Sequence, residues 1–126
     1  QAGIILFAHG SRDPLWHRPI QAVRDQLLQQ HPGAQCCCAY LEISSPSLPE
    51  AIATLVAQGC TTVTVLPLFL GTGRHAREDL PLLLEQAQAR HPQLQLHSAT
   101  AVGEDRRVIA LLADIAQQHL HKRYKS

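Results

Sequence analysis

Three stretches carry side chains whose chemistry could serve a reaction: His9-Gly10-Ser11-Arg12, Glu42, and Gly73-Arg74-His75-Ala76-Arg77. Imidazole changes charge near neutral pH, accepts protons and ligates divalent metals. A carboxylate adds an oxygen ligand, and a mixed nitrogen and oxygen set with open positions suits Co²⁺, Fe²⁺ or Ni²⁺. Guanidinium groups pair with carboxylates or phosphates through two parallel hydrogen bonds. Eight histidines are present. His31 and His91 close helical stretches, His97 ends a strand, and His119 and His121 lie near the C-terminus. His9 and His75 instead follow the two most apolar runs of the chain, so the elements before them decide whether they meet.

Those elements read as alternating strands and helices. Gly3 to Ala8 is a continuous apolar run and Thr61 to Leu66 a β-branched, apolar one, the pattern of strands buried in a parallel sheet. Gln35 to Ile43 is a further strand, and Gln93 to His97 alternates in the manner of an edge strand. The central strand is expected to run to Leu70, with Pro67 weakening its end and Gly71-Thr72-Gly73 turning the chain.

Ile20, Val23, Leu27 and Leu28 make a helical stripe that starts at Pro19. Ser47-Leu48-Pro49-Glu50 is a capping box opening a second helix. Leu80, Leu83, Leu84 and Ala87 mark a third, expected to begin late because Pro81 fits only a first turn. Val108, Leu111, Leu112 and Ile115 mark a fourth, and Lys122 to Ser126 reads as a frayed tail.

The order predicts an α/β fold of three layers: a four-stranded parallel sheet, order 2-1-3-4, with helices on both faces. Its switch point lies between the carboxyl ends of strands 1 and 3, where such folds bind ligands. His9 and His75 would meet there, with Glu42 arriving from strand 2. Arg12, Arg18, Arg74 and Arg77 would surround the same mouth and favour an anion.

Length and composition bound the rest. The 126 residues fit one domain, 1–126, and 45% hydrophobic content supplies a core in which aromatics, at 4%, play little part. A formal net charge of +1 does not suggest nucleic acid or an anionic membrane as partner. No apolar run reaches the roughly 18 residues of a membrane span. Cys36, Cys37 and Cys38 are consecutive, so in a strand they point alternately to opposite faces and make a poor disulfide or zinc framework. Reduced thiols in a cytoplasmic protein are the expectation.

Two short motifs compete with the histidine pair. Gly71-Thr72-Gly73-Arg74-His75-Ala76 fits the glycine pattern of dinucleotide sites. The acidic residue such sites need about 20 positions on is replaced by His97-Ser98-Ala99. His9-Gly10-Ser11 lacks the flanking glycines of a nucleophile elbow.

The chain resembles a known family through its ordered motifs. They are His9-Gly10-Ser11-Arg12, Leu41-Glu42, Ser45-Pro46-Ser47-Leu48-Pro49-Glu50-Ala51, Leu66-Pro67-Leu68-Phe69-Leu70, Gly73, His75 and Asp79-Leu80-Pro81. Together, over roughly residues 3 to 118, they are similar to the small class II cobaltochelatases of cobalamin biosynthesis, the CbiX-type sirohydrochlorin chelatases. That resemblance implies a lyase that inserts a divalent metal into sirohydrochlorin without ATP or any nucleotide. It implies a chelatase-like domain half the length of two-domain ferrochelatases, working as a homodimer. It maps the metal site onto His9 and His75, with the acidic position on Glu42. Ser11, Arg12, Gly73, Arg74 and Arg77 are expected to contact the tetrapyrrole, whose carboxylates account for a basic mouth. Co²⁺ is the expected metal, with Fe²⁺ for sirohaem or Ni²⁺ as alternatives, and a non-catalytic metal or tetrapyrrole carrier of the same fold is the rival. The Gly71-Thr72-Gly73-Arg74 loop departs from the more apolar sequence frequent in the family. A porphyrin-sized disc needs two walls, so Leu15, Trp16, Leu68 and Phe69 are expected to contact the second subunit near the mouth.

Overall fold

The apolar run after Ala2 forms β1 (Ala2–Ala8), and parallel neighbours pair with both of its edges in the computed structural model, which describes residues 1–122. β2 (Gln35–Tyr40) lies on one side and β3 (Thr62–Pro67) on the other. β4 (Gln95–Ser98) adds to the far edge of β3, giving the order β2-β1-β3-β4. This is the predicted topology. The register sets Ile5 beside Cys37 and Val65, and Leu6 beside Cys38 and Leu66, so successive residues of β1 serve opposite cores.

One core lies under α2 (Leu48–Ala57) and α3 (Arg74–Arg90). It contains Ile5, Phe7, Ala39, Ile52, Leu55, Val63 and Val65, all at most 1% exposed. Burying each of the larger of these side chains stabilises the fold by about 1.5–3 kcal/mol. α2 begins with the expected capping box, in which the Glu50 amide donates to Ser47 Oγ and the Ser47 amide donates to Glu50 Oε1. A smaller core on the opposite face joins Leu6, Ala8, Cys38 and Tyr40 to Ile20 of α1 (Arg18–Gln30). A 3₁₀ turn at Pro14–His17 precedes α1.

The two faces are covered unequally. β3 was expected to be buried on both faces, yet only Val63, Val65 and Pro67 are buried, while Thr62, Thr64 and Leu66 are half-buried. The reason is α4 (Arg106–Gln118), reached through a 3₁₀ turn at Val102–Glu104. α4 lies on the Leu66 side and buries none of its own residues. Among the described residues, no helix is long and apolar enough to cross a membrane.

Three expectations need correction. α3 starts at Arg74, not near Leu80 with Pro81 in its first turn, and Pro81 sits inside the helix. Pro81 cannot donate to the Arg77 carbonyl four residues back, but both residues are exposed, so water can satisfy that carbonyl. β2 and β3 end at Tyr40 and Pro67, three residues earlier than expected, because the chain leaves the ladder to build the loops described below. Phe69 is only 4% exposed and belongs to the main core, so it offers no contact to a second subunit. Trp16 and Leu68 are half-buried against the smaller core, and Leu15 is exposed. The expected tail lies, apart from Lys122, outside the described residues.

All four cysteines are free. Burial pushes the Cys36 and Cys37 thiols up to about 11, so both stay protonated at neutral pH and are poor metal ligands.

Candidate active site

The loop after β1 is stitched to the loop after β2. The Leu41 amide donates to the Ala8 carbonyl at 2.9 Å and the Glu42 amide to the His9 carbonyl at 3.0 Å. Gly10 has φ +112°, and a Cβ there would run into the Glu42 carbonyl oxygen, so glycine alone allows this approach. Ser44 Oγ accepts from the Ser11 amide at 2.9 Å and donates to the Ser11 carbonyl at 2.8 Å. His17 Nε2 lies 2.9 Å from that same carbonyl, which requires its ring proton on Nε2. The segment bearing Glu42 is thereby fixed to the segment bearing His9.

Ile43, next to Glu42, has φ +71°, and the Ser44 amide closes a three-residue turn on the Glu42 carbonyl at 2.7 Å. A β-branched residue rarely occupies that region, and such strain persists where the surroundings impose it, often at functional sites.

The loop after β3 meets the same place. The Leu68 amide donates to the Phe7 carbonyl at 2.8 Å. Phe69 then stacks on the His9 ring, centroids 4.4 Å apart and planes 27° from parallel. An imidazole carried by β1 is thus braced by a side chain carried past β3. The Gly103 amide donates to the Phe69 carbonyl at 2.9 Å, and a Cβ at Gly103 would strike the Leu70 carbonyl oxygen. This close approach lets the Val102–Glu104 turn support the loop from behind.

Gly73 is the N-cap of α3, and His75 stands in the first turn rather than on a free loop. Its Nε2 lies 3.1 Å from Asp79 Oδ2 and 4.0 Å from Glu42 Oε2. The side chains of His75 and Glu42 are more than half exposed, at 63% and 54%. The sequence pattern does not single out Asp79 as a site residue. The available signal was its place four residues after His75, one helical turn on; starting the helix near Leu80 concealed it.

The structure therefore brings His75, Glu42 and Asp79 together, stacks His9 on Phe69 and ties its backbone to that of Glu42. Among the described residues, no group of three or more His, Cys, Asp or Glu side chains is placed to hold a metal ion. The arginines are partly engaged. Arg77 Nη1 donates to the Thr72 carbonyl at 3.1 Å, and Arg74 Nε lies 3.4 Å from Glu78 Oε1. Arg12 lines a cavity of about 380 Å³ with His17, Tyr40 and Ser45. The Ser11 hydroxyl accepts from the Asp13 amide at 3.0 Å, so its first role is to shape its own loop. Gly71 and Gly73 have open space where a Cβ would stand and neither has positive φ, so nothing local demands the glycine pattern. A larger concavity, about 700 Å³ beside Gln88 and His97, lies away from these loops. The mouth is an open wall of exposed imidazole and carboxylate groups, able to hold a divalent ion loosely and to accept protons.

Residues 3–119 match the family model described as CbiX. The chain belongs to the CbiX family. Among its CbiX relatives, a sirohydrochlorin cobaltochelatase of Sulfolobus acidocaldarius is 27% identical over 118 residues, covering 94% of this chain and 92% of the relative. A sirohydrochlorin ferrochelatase of Priestia megaterium is 29% identical over 75 residues, 60% of this chain and 28% of the longer relative. The fold superposes on a cobalamin (vitamin B12) biosynthesis CbiX protein from Marinobacter aquaeolei VT8 with TM-score 0.84 at 30% identity, covering 98% of this chain and all of the other. It also superposes on the sirohydrochlorin chelatase SirB from Bacillus subtilis subspecies spizizenii in complex with cobalt, with TM-score 0.75 at 25% identity. There the match covers 94% of this chain but 50% of SirB, so this CbiX chain spans about half the length of that chelatase.

Proposed function

We propose that this protein inserts a divalent metal into sirohydrochlorin without a nucleotide, with Co²⁺ as the substrate metal. The observation that carries the reading is the juxtaposition of His75 with Glu42 and Asp79 at the carboxyl end of the sheet. The metal is substrate here, and must be held loosely enough to leave. A closed thiolate cage would trap it, whereas exposed imidazole and carboxylate groups leave coordination positions open. His75 and His9 are assigned to the metal through ring nitrogens, with Glu42 as the acidic ligand or proton acceptor.

Metal entry releases two pyrrole protons. Glu42, which faces His75, is assigned to take one up, and Asp79, 3.1 Å from His75 Nε2, to hold the imidazole in place. Arg12, Arg74 and Arg77, with Ser11 and the Gly73 turn, are assigned to the carboxylates on the rim of the macrocycle. Arg77 already holds the Thr72 carbonyl, so it orders this loop before any substrate arrives. The four free thiols fit a reducing cytoplasm. A disc has two large faces and this mouth supplies one wall, so the second wall is assigned to a two-fold partner.

Cobalt is preferred over iron because the relative that aligns along nearly its whole length is named a cobaltochelatase. The ferrochelatase relative aligns over a shorter part of the chain and keeps Fe²⁺ as the second reading, with sirohaem as the destination. Insertion assays with Co²⁺, Fe²⁺ and Ni²⁺ in parallel separate these. A protein that binds metal or tetrapyrrole but releases no metallated product would be a carrier instead.

A further inference from the structure

The loop after β1 borders a second concavity. It measures about 380 Å³ and is lined by Arg12, Pro14, His17, Gln21, Tyr40 and Ser45. None of the six is acidic. Arg12, Gln21 and Ser45 are exposed and bring N–H and O–H donors. His17 and Tyr40 are more buried, and their rings meet edge to face with centroids 4.9 Å apart.

Arg12 differs from the arginines that are already engaged. Arg24, Arg74 and Arg107 each lie against a carboxylate, and Arg77 donates to the Thr72 carbonyl. Among the described residues, Arg12 has no such partner. A guanidinium set among neutral donors, with no counter-ion of its own, favours an anion.

The walls are held before any ligand arrives. His17 Nε2 donates to the Ser11 carbonyl at 2.9 Å, and Ser44 Oγ bonds both backbone groups of Ser11. Asp13 Oδ1 accepts from the Leu15 amide at 2.9 Å and fixes the turn at Pro14. Such preorganisation lowers the ordering cost of binding.

The cavity also lies beside the mouth. Arg12 is three residues beyond His9, and Ser45 is three beyond Glu42. The Glu42 amide ties those two segments together through the His9 carbonyl. Three residues span at most about 11 Å, so the rim of a ring centred on His9 and Glu42 comes within reach of this cavity.

We infer that the cavity is a carboxylate seat, which takes one acid-bearing arm of a ring whose centre rests at His9 and Glu42. The inference rests on the tetrapyrrole reading above and names where one arm of the ring goes. Arg12 grips the carboxylate, Gln21 and Ser45 add donors, and the His17 and Tyr40 rings line the path of the arm's methylene groups. An arm held here fixes the rotation of the ring over the mouth.

The chain carries its own reporter. Trp16 is the single tryptophan, with its ring centroid 5.2 Å from that of His17 and 6.2 Å from that of Tyr40. Titration with glutarate at constant ionic strength is expected to change Trp16 fluorescence saturably, with Kd on the order of 1–10 mM. Neutral glutaramide should have no effect. Arg12→Gln removes the charge from an exposed side chain, and Gln21→Glu sets a carboxylate in the cavity; each should abolish the response with circular dichroism unchanged. Arg90→Gln, at the far end of α3, should leave it intact.

Equilibrium dialysis of metal-free sirohydrochlorin then identifies the source of the carboxylate. Arg12→Gln and Gln21→Glu should each weaken its binding about 10-fold or more, the loss of one charged hydrogen bond. The methyl ester of the ring should bind the native protein and Arg12→Gln alike. No glutarate response up to about 100 mM, or a response that survives Arg12→Gln, overturns the proposal. So does glutarate binding with sirohydrochlorin affinity unchanged in both variants, which would make the cavity a site for a free acid. Neither measurement reads turnover, so the seat and the insertion reaction can fail separately.

Discussion

Asp79 reaches back one turn along α3 to hold His75 Nε2 at 3.1 Å. The nitrogen that faces Glu42 is therefore already oriented by a second carboxylate. Carboxylates beside ligating histidines fix the ring and raise its basicity, and losing one typically costs 10–100-fold in affinity or activity. Asp79→Asn keeps the shape but removes the charge. Its kcat for metal insertion is expected to fall by about 10–100-fold, with KM for the tetrapyrrole little changed and the fold intact by circular dichroism. An unchanged kcat would show that the 3.1 Å contact plays no part in the reaction.

Ile43 supplies a prediction of opposite sign. A β-branched residue in the left-handed region costs roughly 1–2 kcal/mol, and glycine relieves this while adding about 0.5–1 kcal/mol of chain entropy to the unfolded state. Ile43→Gly should thus raise stability by up to about 1 kcal/mol in urea titration. It should also weaken insertion, because the strained turn is what fixes Glu42 against the His9 loop. A destabilised Ile43→Gly would mean that the turn carries no strain.

The cysteine strand predicts a pH response. Burial raises the Cys36 and Cys37 thiols from 9.0 to about 11. Between those values the unfolded chain has released protons that the folded chain retains. Stability from this source is whole below pH 9 and is lost as pH rises through about 11. The urea midpoint should fall across that window, and less so in a Cys36→Ala/Cys37→Ala variant. Alkylation of the native thiols should likewise stay slow at pH 9. Rapid labelling there would place both thiols in water.

Much of the fold was legible because it rests on periodicity. Ile4, Ile5, Leu6 and Phe7 can only be a buried strand, and Ser47 with Glu50 can only be a capped helix start once Ala51, Ile52 and Leu55 follow. The placement of His9 just after β1 and of His75 in the connection beyond β3 then followed from topology. What stayed hidden depended on exposure. Pro81 reads as a helix boundary from sequence, and only its outward position makes it harmless inside α3; the same error concealed Asp79. Phe69 reads as an exposed apolar residue near the end of the central strand, and only the stacking of its ring on His9 within the fold buries it. The open face of β3 could not be read at all, since an apolar helix stripe looks the same whether its partner is in the chain or outside it.

The central claim is that the His75 group inserts metal into a tetrapyrrole. Its most direct measurement is the rate of metal–sirohydrochlorin formation, followed by absorbance, for the native protein, His75→Ala and Glu42→Gln with Co²⁺, Fe²⁺ and Ni²⁺. The account predicts turnover by the native protein, fastest with Co²⁺. It predicts loss to the uncatalysed rate in His75→Ala and a smaller loss in Glu42→Gln, with both variants folded. Stoichiometric binding without turnover in the native protein, or a fully active His75→Ala, would contradict it.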